Sequence, residues 1–241
     1  MSFNFGTQTR TYGRTTSVAA EFMRHVYTWM TVGLLVTAFV AAGVAGSPSM
    51  QMAIFGNVAV PIVLIIAQFG IVIALSAAVH KMSAFMATAM FVLYSVLTGL
   101  TLSSIFIVYP IGSIANAFFT CAGMFLAMSV YGTVTKKDLS GMGSFLFMGL
   151  IGIIIASIVN LFIGSTFMDF VINVCGIIVF AGLTAYDTQK LREFGSEAPL
   201  EDGTIVRRGA IFGALRLYLD FIYLFLRLLY NIVFEIITSD N

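Results

Sequence analysis

The chain predicts an all-α polytopic membrane protein with seven transmembrane helices, and three observations carry that prediction. Hydrophobic residues fill 59% of the 241 positions and charged residues only 10%, whereas a soluble domain carries about 25% charge. The apolar residues gather into runs close to the roughly 20 residues that cross a hydrocarbon core. Basic residues occur in every second loop between those runs.

In chain order, residues 1–25 form a polar N-terminal tail with Arg10, Arg14, Glu21 and Arg24. It lacks a short apolar stretch ending in a small-residue cleavage site, so the first long span is expected to act as its own insertion signal. The membrane domain, residues 26–237, divides into runs at Val26–Ala45, Val58–Val79, Ser83–Val108, Ile111–Tyr131, Gly143–Ile163, Phe167–Tyr186 and Ala210–Ile237. Turn chemistry separates them: Gly46-Ser47-Pro48, His80-Lys81, Tyr109-Pro110, Lys136-Lys137-Asp138 and Gly164-Ser165. The one sizeable hydrophilic stretch, Leu191–Arg208, mixes both charges with turn formers and reads as a solvated connector. Residues 238–241 close the chain as a short tail.

Charge sets the direction. Arg10, Arg14 and Arg24, then Lys81, then Lys136 and Lys137, then Lys190, Arg192, Arg207 and Arg208 occupy alternate loops, and the loops between them hold no Lys or Arg. The positive-inside rule places the N-terminus in the cytoplasm and, after seven crossings, the C-terminus outside. The competing topology has six crossings and a re-entrant last segment, because that segment is unusually charged.

Polar residues within the spans point to the function. Asp187 lies in AGLTAYDTQKL and Asp220 in LYLDFIYLFLRLL. A carboxylate at the bilayer centre costs about 2.5–3.5 kcal/mol on insertion scales, so such residues face a bundle interior or a water-filled path and mark functional sites. At 100° per residue, Arg216, Asp220, Tyr223, Arg227 and Asn231 share a sector of about 80° on the last helix. That stripe either lines the centre of the bundle or lies partly in the interface. Arg216 alone could snorkel to the surface and pair with Asp220 four residues on; Arg227 stands too near the middle of the helix for that.

Depth decides whether the two acids meet. Counted from Arg208, Asp220 lies about 18 Å inward, too deep to reach Asp187. If the span begins near Arg216, both acids lie within about two turns of the cytoplasmic surface and can share a proton. We adopt the second geometry.

The remaining features are bland. Twelve basic against 11 acidic residues argue against a nucleic-acid partner. Cys121 and Cys175 fall inside apolar runs and read as small packing residues, with no disulfide or zinc spacing. The methionines fill gaps between helices. His25 and His80 are too isolated for a metal site, and His80 matters only as a neighbour of the acids. Two faces, Tyr94 with Thr98 and Thr101, and Gly149 with Gly152, Ala156 and Asn160, read as close helix packing.

The segments GLTAYDTQKL, LYLDFIYLFLRLL, TGLTLSSIFIVY and TKKDLSGMGSFLFMGLIG resemble the Bax inhibitor-1 family, the transmembrane BAX-inhibitor-motif proteins. The resemblance covers the chain from about Met23 onward, and the short tails look like those of a bacterial member, in the inner (plasma) membrane. It implies a last helix at the centre with the other six packed around it. It also implies a pH-dependent calcium leak in which two aspartates, matching Asp187 and Asp220, sense protons. In some relatives a basic residue at the cytoplasmic end of the second helix latches the first aspartate; Lys81 falls at about that place, with His80 beside it, and Arg216 is the next candidate. Lysine there supplies a point charge without the fork of a guanidinium.

The physical reading of the residues agrees with that mechanism. Carboxylates close together in low dielectric do not both ionise readily and can share a proton. Acidification would neutralise the acid and free a helix end held by a cation. Calcium prefers oxygen ligands, so the two aspartates could form a transient site for it as the permeant ion, with no resident cofactor.

The rivals come from other classes. An intramembrane aspartyl protease would need two carboxylates sharing a proton, but Asp220 sits in Tyr218-Leu219-Asp220-Phe221 rather than Gly-x-Gly-Asp, and no Pro-Ala-Leu follows. The chain is read as a non-enzyme. A retinal protein needs a lysine in the last span, which holds only arginines. The resemblance also implies a non-channel alternative, regulation of a membrane-bound ATP-dependent protease.

Overall fold

A computed structural model of the chain describes residues 5–78, 81–197 and 203–239. Among these residues the secondary structure is helical, without strands: α1 (Phe5–Ala45), α2 (Pro48–Phe55), α3 (Ala59–Ala78), α4 (Ala84–Val108), α5 (Ile111–Val134), α6 (Ser140–Ile163), α7 (Thr166–Glu197) and α8 (Gly203–Ser239). Seven of them are long and apolar enough to cross a membrane; the exception is α2. This eight-residue helix starts on Pro48, whose fixed φ suits a first turn, and it is too short to show in a search for spans.

The helix starts follow capping chemistry. Asn57 Oδ1 accepts from the Ala59 N–H at 2.9 Å, Ser83 Oγ from Met86 at 3.1 Å, and Asp138 Oδ1 from Ser140 at 2.8 Å. Helix α6 ends at Gly164, whose φ of 67° lies in the left-handed region that only glycine enters cheaply.

Two expectations change. Helix α1 runs unbroken through residues 25 and 26, so the polar N-terminal stretch continues the helix of the first span. The expected connector Leu191–Arg208 is largely helical, with α7 reaching Glu197 and α8 starting at Gly203. Its apolar residues are the reason: Leu191 is buried, and Phe194 packs on Phe22 with ring centroids 5.5 Å apart. Helix α8 is one unbroken helix of 37 residues, without the break that a re-entrant segment would carry.

The chain divides into two compact units, residues 1–107 with 190–216, and residues 108–189 with 217–241. In the first, α1 and α4 run parallel. Gly33 faces Phe91 and Ser95, Gly99 faces Val40, and Thr37 Oγ1 donates to the Ser95 carbonyl at 2.9 Å. Gln68 on α3 donates to Thr101 on α4 at 2.7 Å. Gly195, Gly209 and Gly213 let Phe22, Phe194 and Leu191 approach the backbone, and Arg208 donates to the Met82 carbonyl at 3.0 Å.

In the second unit α5, α6, α7 and α8 pack through small residues and rings. Cys121 is buried and points its thiol at the Phe221 carbonyl, 3.5 Å away, while Phe118 and Phe125 meet the Phe221 ring edge-on. Cys175 is exposed and is not a packing residue, because its helix turns that face outward. The small face of α6 is likewise only partly used: Gly149 meets Val179, but Gly152 has open space before it. The buried repeat of that helix runs Gly143, Leu146, Ile153 and Asn160, about one residue out of phase with Gly152.

Candidate functional site

Helical period places Asp169, Asn173, Gly176, Phe180, Thr184 and Asp187 on one face of α7, and Asp220, Tyr223, Arg227 and Phe234 on one face of α8. These faces meet antiparallel. Phe180 stacks on Tyr223 with centroids 5.1 Å apart. One turn along, Gly176 lies under the Arg227 side chain, and Phe170 approaches Phe234 at 6.1 Å. Continued in the other direction, the same ladder sets Asp220 level with Leu183. Asp187 is then one turn further along α7, an axial offset of about 6 Å.

Both carboxylates are buried, each only 6% exposed. Each residue takes part in a polar or electrostatic interaction, and one oxygen of each, Oδ1 of Asp187 and Oδ2 of Asp220, is buried without a hydrogen bond of its own among the described residues. Charge held in such surroundings is costly unless a proton or cation compensates it.

The segment around Asp187 is held firmly. Gln189 Oε1 accepts from the Leu139 N–H at 2.9 Å and Nε2 donates to the Lys137 carbonyl at 2.8 Å. Thr188 Oγ1 reaches Ser129 Oγ at 3.4 Å. A Cβ at Gly132 would collide with the Ala185 carbonyl, and one at Gly143 with the Tyr186 ring. Glycine at both places lets α5 and α6 close on the turn that carries the acid.

At the other end of α7, Arg227 Nη1 donates to Asn173 Oδ1 at 3.1 Å, and Asn160 Nδ2 donates to Asp169 Oδ1 at 2.6 Å. Among the described residues no group of three or more His, Cys, Asp or Glu could hold a metal ion. Two carboxylates form an incomplete cage for an ion that takes six to eight oxygens.

The profile described as Inhibitor of apoptosis-promoting Bax1 matches residues 19–234. The chain belongs to the Bax inhibitor-1 family. The inner membrane protein YbhL of Escherichia coli strain K12 is 55% identical over 208 residues, 86% of this chain and 89% of that one. An uncharacterized protein of Borreliella burgdorferi is 47% identical over 210 residues, 87% and 90% of the two chains. Another, from Deinococcus radiodurans, is 42% identical over 219 residues, 91% and 93%. Membership and the helices together make this an integral membrane protein, and the match contains both aspartates and Arg227.

Lys81 is exposed in the α3–α4 turn, and His80 lies outside the described residues. Arg216 is half-buried and engaged in a polar or electrostatic interaction. Tyr223 and Arg227 meet α7 as described, while Asn231 is half-buried. The sequence reading passed over Gln189, Asn173, Asp169 and the glycines at 132 and 143. Asp169 and Asn173 could have been found, since they repeat on the face of Asp187 at helical spacing. Gln189 could not, because its partners are backbone atoms of a turn 50 residues away.

Proposed function

We propose that the protein is a proton-sensitive calcium leak of the bacterial inner membrane, with Asp187 and Asp220 as its sensor. The observation that carries this reading is the burial of two carboxylates, one turn apart, on neighbouring helices of an otherwise apolar membrane protein. We take α8 as the central helix, supported by its apolar window being half buried, against 11% for α3. The inner membrane is supported by the name of the Escherichia coli relative, and the cytoplasmic N-terminus by loop charge.

In the closed state at neutral pH the acids hold negative charge against a basic latch, Lys81 in the first instance and Arg216 in the second. Acidification adds a proton to the pair, the attraction to the latch falls, and the α7 end is released. The leak therefore grows as pH falls. Calcium passes as cargo, touching the carboxylate oxygens in transit. No bond is made or broken, and the reading includes no enzymatic step.

Flux into proteoliposomes of the purified protein tests this, with calcium, sodium and potassium compared from pH 8 to pH 5. Calcium entry that rises with acidity is expected. Absence of flux at every pH would overturn the leak and favour regulation of a membrane-bound ATP-dependent protease. A reporter fused after Asn241 should report an external C-terminus; a cytoplasmic signal would overturn the orientation.

A further inference from the structure

Arg227 is a fixed charge in the second half of the last span, and the acid pair gives it no task. Its guanidinium donates to Asn173 at 3.1 Å, and its aliphatic arm crosses Gly176, where a Cβ would lie 3.2 Å from Cδ and Nε. Asn173 is buried and is itself anchored, its amide nitrogen donating to the Asp169 carbonyl at 2.9 Å. Asp169, whose charge reaches Arg227, is held in turn by Asn160 at 2.6 Å, and Asn160 is tied to the Ser165 N–H at 3.1 Å. One charge on α8 is thus seated in an acceptor built by α7 and by the α6–α7 turn.

The apolar part of that interface holds the register less firmly. One turn toward the Asp187 end of α7, Phe234 exchanges Phe170 for Val174 and Phe180 gives up its stack on Tyr223. In lipid no hydrophobic force holds two apolar helix faces in one register, so polar pairs and close packing decide it. Sliding α8 by a turn toward the Asp187 end of α7 would take the guanidinium off Asn173, off the open backbone of Gly176 and away from Asp169, leaving a charge without compensation. A buried polar residue setting register at a helix interface is the best-attested use of such groups.

We propose that Arg227 and Asn173 form the register lock of α7 and α8, and so set the axial offset between Asp187 and Asp220. They are positioning residues: neither touches the acids, yet a slip of one turn would change the axial offset of the acids from about 6 Å to level, or to about 12 Å. The consequence for proton sensing rests on the leak reading above, while the register itself does not.

Thiol cross-linking tests the lock directly, in a chain with Cys121→Ala and Cys175→Ser. Phe170→Cys with Phe234→Cys reports the observed register, and Val174→Cys with Phe234→Cys reports α8 slipped by one turn toward the Asp187 end of α7. With Arg227 present the first pair should react with a short bifunctional thiol reagent in preference to the second. Arg227→Met should lower that preference about tenfold, the scale of an interhelical polar contact in a membrane, and Arg227→Lys should restore most of it. An unchanged preference in Arg227→Met would overturn the lock. If that variant does not accumulate, Asn173→Ala serves instead, with the same two outcomes. Calcium flux of the same variants is the second readout: the lock predicts a displaced pH profile. Flux absent from the unaltered chain would sink the leak reading and leave the cross-linking test of the register intact.

Discussion

Gln189 grips the α5–α6 turn through Leu139, accepting its backbone N–H at 2.9 Å while donating to the Lys137 carbonyl at 2.8 Å. One side-chain amide thereby satisfies two backbone groups of a turn and fixes the stretch of α7 just beyond Asp187. Leu139 is buried, so its N–H has no ready substitute in water. Gln189→Ala should destabilise the protein by about 1–3 kcal/mol, the cost of leaving a buried polar group unsatisfied. It should also raise calcium leak at neutral pH, by loosening α7 beside Asp187. Thermal unfolding in detergent and flux at pH 7 check the two effects separately.

Asp187→Asn and Asp220→Asn each remove the titrating charge while keeping the shape. Each should flatten the pH response of the leak between pH 8 and pH 5. The double variant should add little to either single one, because coupled groups titrate as a unit. Flux against pH for the three variants decides this; a simple sum of two independent shifts would rule out a shared proton.

Lys81 supplies the test of the latch. It is the basic residue of the α3–α4 turn, and it is exposed, so replacing it should cost under about 0.5 kcal/mol of stability. Lys81→Gln should nonetheless raise the leak at neutral pH and narrow its pH response. If the flux curve is unchanged, Arg216→Gln becomes the variant to measure.

Gly132 and Gly152 should respond oppositely to the same methyl group. A Cβ at Gly132 meets the Ala185 carbonyl, which is backbone and cannot rotate aside, whereas Gly152 has open space before it. Gly132→Ala should cost about 1–3 kcal/mol by overpacking. Gly152→Ala should be neutral or mildly stabilising, because alanine is the better helix former. Thermal stability of the two purified variants measures the difference.

The sequence by itself determined the seven long apolar helices and singled out two acids within them. The reason is solvent: hydrocarbon demands unbroken apolar runs with internally satisfied backbones, so the runs are legible and a carboxylate among them stands out. Helical period also determined which residues share a face, including the stripe of Asp220, Tyr223 and Arg227. What period cannot state is which face meets which, because leucine, isoleucine and phenylalanine pack acceptably against one another in many registers. Only the tertiary structure seated Arg227 on Asn173. It alone turned Cys175 and Gly152 outward, carried α7 through the expected connector to Glu197, and set Gln189 against backbone atoms of a turn that no side-chain pattern advertises.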